Sequence, residues 1–156
     1  MVKKRGVLMV CLGNICRSPI AEAVFAHEVK KMGLQDKWFV DSAATCGFHV
    51  GSSPERRARR TLEKHGVDTD HVARVLEEED FGEFEFIFGM DEQNVKDINK
   101  EAPTGSKAKV EMLGSYDPVD QSFIRDPYYD SGSEGFEVCF TRCTRAVRAF
   151  LEKHAE

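Results

Sequence analysis

The sequence predicts an α/β protein: a single doubly wound domain over 1–156, with a four-stranded parallel sheet flanked by helices on both faces. Three observations carry that expectation. Short apolar runs alternate along the chain with segments of helical period. The first run, 7–11, is continuously apolar, as a strand covered on both sides must be. No internal repeat, low-complexity tract or interdomain linker interrupts the alternation.

The elements follow in order. After the strand at 7–11, helical periodicity spans 19–32, with Ile20, Ala23, Val24, His27 and Val29 near one stripe and Gly33 as terminator. Residues 38–44 read as a second strand, and 54–64 as a helix with Pro54 in its first turn and Gly66 past its end. A third strand fits 86–90, and Asp91 caps a helix reaching about Asn99. Residues 109–113 form a shorter fourth strand, and 134–153 a closing helix. Between them, 114–133 carries Gly, Pro, Asp and Ser without period and reads as a long loop. Loops beyond about 12–15 residues are usually functional or disordered. Strands interleaved with helices imply parallel pairing with right-handed crossovers. Ligands in such sheets sit at the carboxyl ends of strands, beside a reversal of strand order. Cys11 stands at such an end.

Composition narrows the function. A chain of 156 residues buries about two-thirds of its unfolded surface. Its 41% hydrophobic and 31% charged residues suit a globular cytoplasmic protein. No apolar run nears the roughly 18 residues of a membrane span. The basic start, Met1 to Arg5, precedes an apolar run of 7–12 that is too short for a signal-peptide core and ends in Gly13-Asn14. Cysteines 11, 16, 46, 139 and 143 make an odd count without a secreted spacing, so reduced thiols inside a cell are expected. A net charge of −5 argues against nonspecific nucleic-acid binding. Arg56, Arg57, Arg59 and Arg60 read as a solvated helix face. No metal or other cofactor is expected: Cys11 and Cys16 lack the spacing of a zinc pair, and Cys139 and Cys143 read as core.

The segment 11–19, Cys-Leu-Gly-Asn-Ile-Cys-Arg-Ser-Pro, leaves a buried strand and enters a helix. Gly13 and Asn14 tolerate left-handed backbone, so the turn can curl and aim successive N–H groups inward. Such amides beside a helix N-terminus bind anions. Arg17 adds a planar fork matched to phosphate, Ser18 is placed to cap the helix, and Pro19 fits its first position. A thiol in that field is favoured as the thiolate, a nucleophile for phosphorus. Cleavage of an aryl phosphate also benefits from a proton donor, because the phenol left behind has a pKa near 10. The 114–133 loop offers two candidates, Asp117-Pro118 and Asp126-Pro127, and chemistry alone does not choose between them.

The chain resembles the low-molecular-weight protein tyrosine phosphatases over essentially its whole length. The likeness lies in residues 10–23 (VCLGNICRSPIAEA), 40–45 (VDSAAT), 90–92 (MDE), 113–118 (LGSYDP), 126–129 (DPYY) and 148–153 (RAFLEK). The resemblance implies hydrolysis of protein phosphotyrosine, and of small aryl and acyl phosphates, through a phosphocysteine on Cys11, without a metal. Arg17 would grip the phosphate within a loop of Leu12, Gly13, Asn14, Ile15, Cys16 and Ser18. It selects Asp126 as the general acid and leaves Asp117 as a turn residue. Asp126 must then hold its proton while Cys11 is ionised. Asn14, Ser42, His71 and Asp91 match positions that brace the loop or orient Arg17, with a core or capping role as the competing account. Phe48, His49, Tyr128 and Tyr129 match the walls around a substrate ring. Tyr129 matches a position phosphorylated by tyrosine kinases, which makes kinases acting on Tyr128 and Tyr129 expected partners beside the phosphotyrosine substrates. Cys16 matches a thiol that traps oxidised Cys11 as a disulfide.

Relatives of other activity bound this expectation. Arsenate reducers pass their arsenylated cysteine to a downstream pair, whereas no cysteine lies between Cys46 and Cys139 here. Arginine phosphatases carry Thr where this chain has Ile15. A binding module without turnover needs neither the thiolate nor the acid.

Overall fold

The computed structural model describes residues 3–155; residues 1, 2 and 156, the limits of the expected domain, lie outside the described residues. In chain order the elements are β1 (Arg5–Cys11), α1 (Arg17–Lys31), β2 (Trp38–Ala44), α2 (Arg56–Lys64), α3 (Asp80–Glu83), β3 (Phe86–Gly89), α4 (Glu92–Glu101), β4 (Lys109–Met112) and α5 (Glu134–Lys153). Two 3₁₀ turns, Gly47–His49 and Leu113–Tyr116, lie between them.

The four strands pair in parallel in the order β2-β1-β3-β4, with Val7 opposite Val40 on one side and Phe86 on the other. The period of two in β1 divides the core. Val7, Met9 and Cys11 face a cluster with Phe25 and Val29 of α1, Leu62 of α2, and Phe136 and Phe150 of α5. Leu8 and Val10 face a second cluster with Phe81 of α3 and Ile98 of α4. Both faces are therefore covered, which is why β1 reads as an unbroken apolar run. Each such side chain contributes about 1.5–3 kcal/mol on burial. Phe150 anchors the larger cluster, its ring 4.9 Å from Phe86, 5.2 Å from Phe88 and 5.4 Å from Trp38, all near edge-to-face.

From β1 the chain moves outward to β2, then returns past β1 to β3 on the other side. That reversal opens a crevice at the carboxyl ends of β1 and β3. Two helix starts differ from expectation. Helix α1 begins at Arg17, with Cys16 at its N-cap and no side-chain cap. Ser18 is thus inside the helix rather than capping it, and Pro19 is its third residue rather than its first. Pro19 still costs nothing there, because its missing N–H falls among the donors a helix start leaves unpaired. Helix α2 begins at Arg56; Glu55 caps it by accepting from Arg57 N–H, and Pro54 lies outside. Strands β3 and β4 each end one residue early, and α3 was not anticipated because four residues cannot show a period.

Candidate active site

The site begins where β1 ends. Cys11 is 3% exposed, and the turn that follows folds back on it. Asn14 takes a left-handed φ of 60°, which a short amide side chain tolerates. This sends the Asn14 N–H to Cys11 Sγ at 3.3 Å. Ser18 Oγ lies 3.0 Å from the same sulfur. The Ser18 hydroxyl therefore serves the thiol and not the helix end. With no side-chain cap at Cys16, the first amides of α1 remain available to an anion. Gly13 has its own constraint: a Cβ there would meet His49 Cδ2 at 2.9 Å, so glycine lets His49 close over the turn.

Asn14 is the hinge of a buried polar network. The Arg74 N–H donates to Asn14 Oδ1 at 3.1 Å, which fixes the orientation of the amide. Its Nδ2 then donates to Ser18 Oγ at 2.8 Å and Ser42 Oγ at 3.0 Å. His71 Nε2 donates to Asn14 Oδ1 at 2.6 Å, and its Nδ1 lies 3.0 Å from Glu22 Oε1. Ser42 Oγ donates to Glu22 as well, at 2.5 Å. Asn14, Ser42 and His71 are thus brought together under the turn. Glu22 and Arg74 belong to the same network and were not anticipated. Nothing in their spacing marks them, although Glu22 falls within the run 10–23.

Arg17, the first residue of α1, is 3% exposed, and its guanidinium has two halves. Nη1 donates to Asp91 Oδ2 at 2.7 Å and to the Ile124 carbonyl at 3.0 Å. Nη2 is 3.6 Å from Asp126 Oδ2, and the buried Nε has no hydrogen-bond partner among the described residues. Burial alone would lower the Arg17 pKa, but Cys11, Asp91 and Asp126 outweigh it, and the group is held above its usual range. Asp91, for which capping competed with contact to Arg17, makes both contacts: Oδ1 accepts from Asn94 N–H at 2.7 Å at the start of α4, and Oδ2 accepts from Arg17 Nη1 at 2.7 Å. Asp126 Oδ1 accepts from Tyr128 N–H at 3.0 Å, which turns Oδ2 toward Arg17.

Around this centre, Leu12 and Phe48 are exposed, and Tyr129 is 90% exposed. His49 packs toward Tyr128, their rings 6.1 Å apart, and Tyr129 meets Tyr128 edge-on at 4.9 Å. Ile15 and Cys16 are buried, and burial, reinforced by Cys11, pushes the Cys16 thiol far above its usual pKa. Cys139 and Cys143 lie in the core of α5 as expected; their mutual hydrogen bond and burial raise Cys139. Asp117, read as a turn residue, does bend the chain but is also fully buried between Arg142 and Arg145. The arginine run departs from expectation too. Arg56, Arg59 and Arg60 are exposed, whereas Arg57 is half-buried and reaches the loop that carries Asp126. Its signal was hidden because four arginines in five residues look alike until one side of the helix is packed.

Comparison with known proteins places these residues in a family. A family model described as low molecular weight phosphotyrosine protein phosphatase matches residues 6–156. The human protein of that name is 49% identical over 151 residues, covering 96% of this chain and 95% of the relative. The crystal structure of Primo-1 superposes with a TM-score of 0.92 at 46% identity, covering 97% of this chain and 99% of that one. That of DARP, a drosophila arginine phosphatase, superposes with a TM-score of 0.91 at 37% identity, covering 96% and 98%.

Proposed function

The chain belongs to the low molecular weight phosphotyrosine protein phosphatase family and is a protein tyrosine phosphatase, and on that premise we propose that it works through a phosphocysteine on Cys11, with Asp126 as acid and base and no metal. The whole chain is read as one catalytic domain, supported by the single four-stranded sheet among the described residues.

The observation that carries the mechanism is the unfilled half of the Arg17 guanidinium. Nη1 is engaged, while buried Nε is unpaired and Nη2 makes only a long contact with Asp126. Nε and Nη2 form one edge of the planar fork, the edge that grips two oxygens of a phosphoryl group. The free amides at the start of α1 would take further oxygens. Cys11 Sγ attacks phosphorus, the bond to the phenolic oxygen breaks, and that oxygen takes the proton of Asp126. The Asp126 carboxylate then removes a proton from water. The water oxygen attacks phosphorus, and sulfur leaves as thiolate beside the Ser18 hydroxyl, releasing inorganic phosphate. Asn14, Ser42 and His71 hold the turn in shape, and Asp91 aims Arg17. Charge neutralisation comes from Arg17 and the amides, so no metal enters a step.

Phe48, His49 and Tyr128 are read as walls for the substrate ring, which also admits small aryl and acyl phosphates. The exposure of Tyr129 suits modification by a tyrosine kinase, with Tyr128 less accessible beside it. Cytoplasmic location and redox control belong to this reading. Peroxide would convert the Cys11 thiolate to a sulfenic acid, and the Cys16 thiol would displace water to form a disulfide. Cys16→Ser should then turn over normally yet recover less activity after peroxide and dithiothreitol; equal recovery removes the protective role.

The activity is tested with a phosphotyrosine peptide, para-nitrophenyl phosphate and a phosphoarginine peptide, with and without chelator. We expect chelator-insensitive turnover of the first two with an acidic optimum, and none in Cys11→Ser. Undiminished activity in Cys11→Ser overturns the mechanism, and preference for phosphoarginine overturns the substrate assignment, for which Ile15 is the supporting residue.

A further inference from the structure

Arg57 lies on α2, away from Cys11, yet its guanidinium binds three carbonyls of the loop that follows the general acid. Nη2 donates to the Tyr128 carbonyl at 2.8 Å, and Nη1 to those of Asp130 at 2.6 Å and Gly132 at 2.9 Å. Nε is fixed at 2.9 Å on Glu55, the capping residue of the same helix. The cation also lies over the Phe136 ring at 4.5 Å, on the first turn of α5. The cation is thus tethered to α2, seated on α5, and presents its remaining donors to a five-residue arc. Carbonyl dipoles that converge repel one another, and the charge of the guanidinium offsets that repulsion.

The arc begins two residues after the acid. The Tyr128 C=O is held by Arg57, and the Tyr128 N–H holds Asp126 Oδ1 at 3.0 Å. Asp126 Oδ2 then faces Arg17. A continuous chain of contacts therefore runs from Arg57 through residue 128 to the carboxylate, without passing through Cys11. From this we infer that Arg57 is a positioning residue for Asp126: it shapes the 128–132 arc and so sets where the acid stands over the leaving oxygen. Displacing a catalytic group by about 1 Å can cost about 10²-fold, so the clamp matters without touching substrate. The inference rests on Asp126 being the general acid, as proposed above.

The test compares kcat/KM for phenyl phosphate, whose leaving group needs the proton, with that for para-nitrophenyl phosphate, whose leaving group needs it less. Asp126→Ala is measured first and should lose far more on phenyl phosphate. If it does not, the acid assignment fails and the role of Arg57 fails with it. If it does, Arg57→Ala should lose about 10- to 100-fold on phenyl phosphate, part of the roughly 10²–10⁴-fold that acid catalysis supplies. The loss on para-nitrophenyl phosphate should be several times smaller. Inhibition by inorganic phosphate should stay within about twofold, since the Arg17 cradle is untouched, and Arg57→Ala should add nothing in the Asp126→Ala background. Equal losses on the two substrates, or additive losses in the double variant, overturn the inference while leaving the acid assignment intact. Should Arg57→Ala not fold, Arg57→Lys, which keeps the charge but loses the planar fork, is read by the same criteria.

Discussion

Two Asp-Pro pairs nine residues apart teach how little a local motif says about its use. Locally they match. Asp117 Oδ1 accepts from Val119 N–H at 3.0 Å, and Asp126 Oδ1 accepts from Tyr128 N–H at 3.0 Å, so each aspartate bridges its proline in the same side-chain turn. Their second oxygens differ. Asp117 Oδ2 receives Arg142 Nε at 2.8 Å and Arg145 Nη2 at 3.0 Å, and Arg145 Nε also reaches Oδ1 at 2.9 Å. Burial alone would raise the Asp117 pKa, but hydrogen bonds from Arg145 and Arg142 reverse this and hold the carboxyl far below its usual range. Asp126 is about one-third exposed, and among the described residues its Oδ2 meets only Arg17, at 3.6 Å. A carboxylate saturated by two guanidinium groups cannot give or take a proton near neutrality. The first aspartate ties α5 to the loop, and the second keeps an oxygen open for the acid role proposed above.

The sharpest way to break the contrast is Asp126→Asn. Its kcat on phenyl phosphate should fall by about 10²–10⁴-fold. Urea unfolding should stay within about 0.5 kcal/mol of wild type, because few partners are lost. Asp117→Ala should invert the pattern. It leaves two guanidinium groups around an empty buried site, so it should destabilise by about 3–5 kcal/mol in urea. Turnover per folded molecule should fall far less than in Asp126→Asn.

Acid sharpens the comparison further. The folded pKa of Asp117 is depressed, so its stabilisation is complete above the ordinary carboxylate value of about 3.9 and is lost as pH falls toward the depressed folded value. Stability measured downward from pH 5 should therefore drop less steeply in Asp117→Asn than in wild type. The smallest expected effect separates the two partners of Asp117. Arg145, one-third exposed, should cost about 1 kcal/mol or less on truncation to Ala. Arg142 should cost more, because it also donates to the carbonyls of Asp120, Ser122 and Phe123. Equal losses would mean that the ion pairs, not the loop carbonyls, set the strength of the tie.

The same distinction explains what could be read beforehand. The apolar run of β1, the glycines closing α1 and α2, and the capping aspartate of α4 are short-range signals, and the elements lie where those signals fall. The turn from Cys11 to Arg17 was legible because strand end, left-handed Asn14 and helix start are consecutive in the chain. Ser18 misled because a serine near a helix start has two uses, and the sulfur 3.0 Å away took the hydroxyl. Glu22, Arg74 and Arg57 gave no signal, since each is meaningful only through partners far along the chain, as with Arg57 and the Gly132 carbonyl.

By itself, then, the order of residues determined the alternating elements, a sheet covered on both faces, and a sulfur beside a curled turn that enters a helix, because period and turn chemistry act over a few bonds. Only the tertiary structure decided which aspartate is left with an open oxygen, which half of Arg17 is unfilled, and which arginine of the run closes on the 128–132 arc. Those outcomes depend on how much water each group loses and which charges it meets, and both are set when α2, α5 and the long loop pack together.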